Sequence, residues 1–148
     1  MTPADTQLLE DQFTERYEDA NCRLFTSNEG DIVLAEILLP YVPIEGFMTL
    51  LKQVTRLVEF YGGQKFVFDQ RKLMAFHQPT AEWCDVEWKK EMYHKFGLVN
   101  HRQLFSDEPW FQKCVEAGQA QIRKNFPNAI VHIMEVRTCQ TLGDAISS

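Results

Sequence analysis

Residues 65–80 constrain the fold more than any other stretch of this chain. Phe66, Val67 and Phe68 follow one another with no polar residue between them, and Asp69, Gln70 and Arg71 close the run. A strand with one solvated face alternates apolar and polar residues. One that does not alternate is covered on both faces, as in a parallel sheet. The chain then loosens through Met74, Phe76, His77 and Pro79, and an amphipathic helix begins with Thr80 as its N-cap. A buried strand whose carboxyl end delivers an acid and a base into a loop is where open α/β sheets place ligands.

The surrounding pattern agrees with such a sheet. Residues 1–12 are polar apart from Leu8 and Leu9 and read as a short helix or a loosely held arm. Extended candidates cover residues 13–17 and 22–26. The turn at Ser27, Asn28, Glu29 and Gly30 leads into an apolar run over 32–39, which makes a hairpin. Pro43 and Glu45 open a helix whose apolar positions (Phe47, Leu50, Leu51, Val54, Leu57, Val58 and Tyr61) recur at three- and four-residue steps. Cys84, Trp88, Met92 and Phe96 repeat at four-residue steps along the next helix, which Gly97 ends. A short strand is expected over 98–105 and a helix from Ser106–Pro109 to Phe126. The last strand is expected over 130–136, with a terminal helical turn over 141–148. The order β-β-α-β-α-β-α-β-α predicts an α/β domain with a mixed, mostly parallel central sheet of about five strands, an N-terminal β-hairpin and covering helices.

Composition limits what such a domain does. The chain has 148 residues, 45% of them hydrophobic, enough for one domain with a sizeable core. Fifteen basic against 21 acidic residues give a net charge of −6, which argues against a broad nucleic-acid or anionic-membrane surface. No apolar run reaches the length of a membrane span, and the first residues lack signal-peptide regions. Cys22, Cys84, Cys114 and Cys139 lie far apart without metal-ligand spacing. They read as small buried hydrophobes in a reducing cytoplasm.

A β-hairpin followed by α/β units resembles the STAS domain of anti-sigma-factor antagonists, and more closely the SpoIIAA-like group of small bacterial proteins. Residues 64–96 look like that group's third strand and second helix, where a strand ending in Asp-x-Arg leads through a loop into an amphipathic helix. The resemblance runs loosely from Phe13 to Ile146. It implies a non-enzymatic regulatory or ligand-sensing domain that works by protein–protein contact. Phosphorylatable members carry Asp-Ser or Asp-Thr at the end of the third strand. Here Gln70 follows Asp69, so the usual phospho-acceptor is missing.

The candidate site residues are Asp69, Arg71, His77, Thr80, Trp83 and Arg102. Asp69 and Arg71 share strand parity and can pair, either as an ion pair that orders the loop or as a polar clamp for a ligand or partner. His77 is of the side-chain type that serves as a general acid or base, but no nucleophile or third group accompanies it, so no catalytic residue is assigned. Glu91 and His94 form Glu-x-x-His, yet di-iron bundles need that motif twice, so no metal or other cofactor is expected. Trp88 fits the core stripe of its helix. Trp83 and Tyr93 fall off it, and with Trp110 they can line a pocket or a dimer contact. His101 and Arg102, with Lys89, Lys90 and Lys95, make the one locally basic region. Arg102, read as lying at a strand's carboxyl end, can hold a small anion with the helix start at Ser106.

Two function classes remain. One is a regulatory or interaction module acting on a protein partner or on a second copy of itself. The other is a small-molecule- or anion-binding or enzymatic domain, with a pocket at the strand carboxyl ends formed by Asp69, Arg71, His77 and Arg102. The second requires a concave, partly apolar pocket on which polar groups converge; a flat, filled surface favours the first.

Overall fold

The computed structural model describes residues 1–148 and is α/β, with one six-stranded sheet in the order β1-β2-β3-β4-β5-β6. β1 (Phe13–Glu18), β2 (Cys22–Ser27) and β3 (Ile32–Ile37) form an antiparallel meander. β4 (Lys65–Gln70), β5 (Asn100–Phe105) and β6 (Glu135–Thr138) then continue in parallel. The sheet thus has six strands where about five were expected, because both early extended segments join it.

Each crossover advances the sheet by one strand in the same direction, so right-handed connections bring all three crossover helices to one face. These are α2 (Ile44–Tyr61), the long helix of α3 (Gln78–Trp83) and α4 (Lys89–Phe96), and α5 (Pro109–Asn125). Their core includes Leu50, Val54, Phe66, Phe68, Trp88 and Phe111. The opposite face is covered by the two terminal helices, α1 (Pro3–Gln12) and α6 (Leu142–Ser147). Leu9, Leu142 and Ala145 pack there on Leu34, Val67 and Leu104. β4 lies between β3 and β5, and Phe66, Val67 and Phe68 are all buried. The unbroken apolar run has the physical origin assigned to it from sequence.

Several boundaries differ from expectation. Residues 3–12 form the helix that was one of the two expected states, and it is docked on the sheet. Thr2 and Asp5 form a capping box, and Leu9 is buried. Thr80 is not an N-cap. The cap lies three residues earlier, at His77, with Pro79 in the first turn, and the Thr80 hydroxyl lies 2.8 Å from His77 Nδ1. The final strand is displaced. Residues 130–133 form a 3₁₀ turn that leaves Ile133 in solvent, and pairing with β5 starts only at Glu135. Only Cys22 and Cys84 are buried; Cys114 is exposed and Cys139 half-buried. No helix is long and apolar enough to cross a membrane.

Candidate functional site: an aromatic cleft at the strand carboxyl ends

A cleft opens on the α2–α5 face where β4 and β5 end. Its floor is Phe68 and Gln70 from β4 with Gln103 and Phe105 from β5, side chains that share one face by strand parity. Ile44 and Phe47 of α2 form one wall, and Phe111, Val115, Gly118 and Gln119 of α5 another. The β4–α3 loop closes the rim with Phe76 and His77. Its Met74 and Ala75 amides donate to the Pro40 carbonyl at 2.7 and 3.2 Å, which ties this loop to the β3–α2 loop. Aromatic edges run along the walls: Phe76 and Phe105 both flank Phe111, at 5.7 and 6.4 Å, and Phe47 lies 6.0 Å from Phe68. The cavity volume is about 90 Å³. That is well above the threshold of about 10–15 Å³ at which a cavity holds a single water.

The inner wall is shaped by a π-turn, Cys84–Trp88, between α3 and α4. A four-residue spacing of apolar positions overruns the α-helical turn by roughly 0.4 residue per step. The wider turn takes up the surplus and keeps Cys84, Trp88 and Met92 buried together. Trp88 Nε1 donates to Thr55 Oγ1 at 3.0 Å, pinning the turn to α2. Such turns recur at functional sites. This one carries Asp85 and Lys89 into the cleft, with Nζ 2.7 Å from Oδ1. Burial alone would pull the Lys89 ammonium down, but the charge and hydrogen bond of Asp85 outweigh it and hold Lys89 above its ordinary value. Burial pushes the Cys84 thiol up to about 12, so the thiol stays protonated at neutral pH.

Glutamine is the other polar component. The only glutamine side chains that hydrogen-bond within the protein are those of Gln7 and Gln112. Gln70, Gln78, Gln103 and Gln119 all line the cleft with their carboxamides uncommitted, and Gln103 is 92% buried by virtue of its 8% exposure. Gln78 Nε2 is buried with no acceptor, a state that costs about 1–3 kcal/mol. Gly118 makes room for it: a Cβ built there would fall 2.7 Å from Gln78 Oε1. Glycine in mid-helix is itself worth about 1 kcal/mol less than alanine.

Below the cleft floor, His101 is 1% exposed and set edge-on to Phe66 and Trp88. Burial, then the Lys89 charge, lowers its pKa to about 3. The Leu98 carbonyl favours the charged ring but is not placed to accept a proper hydrogen bond, and both ring nitrogens are unpaired.

The residues singled out from sequence do not meet at one point. Asp69 and Arg71 do pair, through two hydrogen bonds of 2.9 and 2.8 Å, but on the face away from the cleft. Arg71 also reaches Asp5 at 3.1 Å, so the group fastens α1 to the end of β4. His77 and Thr80 stand at the cleft rim, whereas Trp83 is outside it and 38% exposed. Arg102 is not at a strand's carboxyl end. It is the third residue of β5, faces α6, and donates to the Glu135 carbonyl and to Ser148 Oγ at 3.1 and 2.9 Å. The basic region is likewise dispersed. Lys89 is buried against Asp85, Lys90 and Lys95 pair with Glu87 and Glu91, and His101 and Arg102 point to opposite faces.

The cleft glutamines escaped the sequence reading because a carboxamide carries no charge and belongs to no motif. The usable signal was parity: Gln103 sits between His101 and Phe105 on the face that also receives Phe66 and Phe68. Comparison with family models, with curated proteins and with solved structures finds no significant match.

Proposed function

We propose that this domain binds a small, largely apolar molecule in the cleft between α3 and α5 and acts as a ligand-sensing module. The observation that carries the reading is a concave aromatic cleft at the carboxyl ends of two parallel strands, bordered by uncommitted polar groups. Of the two function classes, only small-molecule binding requires this feature. Native mass spectrometry of protein purified from its own cells tests it: a bound small molecule is expected, and it should be lost when Val115→Trp fills the cleft. A ligand retained equally by that folded variant sinks the reading.

A second reading, a regulatory contact surface for a partner or a second copy, is favoured by the solvent exposure of Trp83 (38%) and Trp110 (49%). Aromatic residues are enriched at such contacts. The resemblance to STAS and SpoIIAA-like domains accords with both readings, because a sensor transmits occupancy by contact. Sedimentation equilibrium at tens of micromolar separates them: a homodimer supports the contact surface, and a species of only 17.3 kDa counts against self-association.

A further inference from the structure

We propose that the cleft selects a neutral, planar ring bearing a paired donor–acceptor edge, the lactam type of edge found on pyridones and nucleobases. This inference rests on the reading that the cleft binds small molecules at all. Three observations carry it. The lining is aromatic, from Phe47, Phe76, Phe105 and Phe111, which suits a flat ring. The polar groups at hand are carboxamides. Each offers an N–H donor beside a C=O acceptor, and such a pair matches an edge with the complementary order through two parallel hydrogen bonds. Gln103, nine-tenths buried in the floor and free of any partner in the protein, is the strongest of them.

Charge argues for neutrality. The only Asp, Glu, Lys or Arg side chains on the cleft are buried Lys89 and part-exposed Asp85, already joined at 2.7 Å, so neither is free to compensate a charged ligand. Burying an uncompensated charge in such a site is strongly unfavourable. A purely apolar ring, in turn, would leave the Gln103 carboxamide stripped of water without a hydrogen-bond partner.

The test is a ¹H–¹⁵N chemical-shift titration with four single-ring probes: 2-pyridone, N-methyl-2-pyridone, toluene and benzoate. We expect 2-pyridone to shift the Phe68, Gln103 and Gly118 amides saturably and to bind about tenfold tighter than toluene, with N-methyl-2-pyridone and benzoate weaker than 2-pyridone. Gln103→Leu should remove the preference for 2-pyridone while leaving toluene binding intact. Should that variant not fold, Gln70→Leu, at a half-buried position, should reduce the same preference. Toluene binding as well as or better than 2-pyridone overturns the ligand class and leaves the cleft reading standing. A preference that survives in the folded variant overturns the role of the carboxamides. If none of the four probes moves the cleft amides up to its solubility limit, the cleft reading itself falls, and this inference with it.

Discussion

Replacing His101 with leucine should change stability little at neutral pH and make the protein markedly less sensitive to acid. In the folded protein the imidazole is 1% exposed, and neither ring nitrogen has a hydrogen-bond partner. Leaving a buried polar group unpaired costs about 1–3 kcal/mol. Against this stand the edge-on contacts to Phe66 and Trp88, worth about 0.5–1.5 kcal/mol each. The two nearly cancel, so His101→Leu should lie within about 1 kcal/mol of the natural protein at pH 7.5. The pH dependence is larger. Burial, reinforced by Lys89, lowers the folded-state pKa of His101 from 6.5 to about 3. Between those values the unfolded chain takes up a proton that the folded chain refuses, so stability falls as pH falls. The slope is about 1.36 kcal/mol per pH unit, which amounts to on the order of 2 kcal/mol by pH 5. Urea unfolding at pH 7.5, 6 and 5, followed by tryptophan fluorescence, measures this. The titrations of all other groups are common to both proteins and cancel in the difference, which should widen by about 2 kcal/mol in favour of the variant from pH 7.5 to 5. A constant difference, or His101 ring protons that titrate near 6.5 in the native protein, refutes the reasoning.

Other perturbations probe the two faces of the sheet. Arg71→Ala leaves Asp69 and Asp5 buried without their shared cation. Because the guanidinium is 27% exposed, the cost should fall at about 2–3 kcal/mol, with faster amide exchange in α1 than elsewhere. Gly118→Ala should raise helix stability by up to about 1 kcal/mol yet weaken ligand binding, because its methyl group displaces the Gln78 carboxamide. A variant that gains stability and binds equally well would remove Gln78 from the site. Val67→Asp places an unpaired carboxylate at a position with 0% exposure and should abolish cooperative unfolding by circular dichroism.

Patterns read along a single strand or helix were legible from residues alone. The unalternating Phe66–Phe68 run announced a strand covered twice, and the four-residue spacing of Cys84, Trp88 and Met92 announced their common burial. Where two elements competed, local pattern misled. The apolar residues at 130–133 have strand-like composition, yet they lie in a 3₁₀ turn because pairing along β5 begins opposite Glu135. Lys89 reads in sequence as part of a basic region and is instead buried, because the π-turn carries it inward onto Asp85.

The sequence by itself determined the α/β class, the central strand and the pairing of Asp69 with Arg71, since each depends on periodicity or parity within a few residues. Tertiary structure alone decided that this pair fastens α1 on one face while the cleft opens on the other, and that Arg102 faces α6. It also brought Gln70, Gln78, Gln103 and Gln119 from four separate elements to one aromatic cavity. The physical reason is that a one-residue step along a strand reverses the face a side chain occupies. What lies across from it then depends on which way each crossover helix returns, a property of the folded sheet and not of any local run of residues.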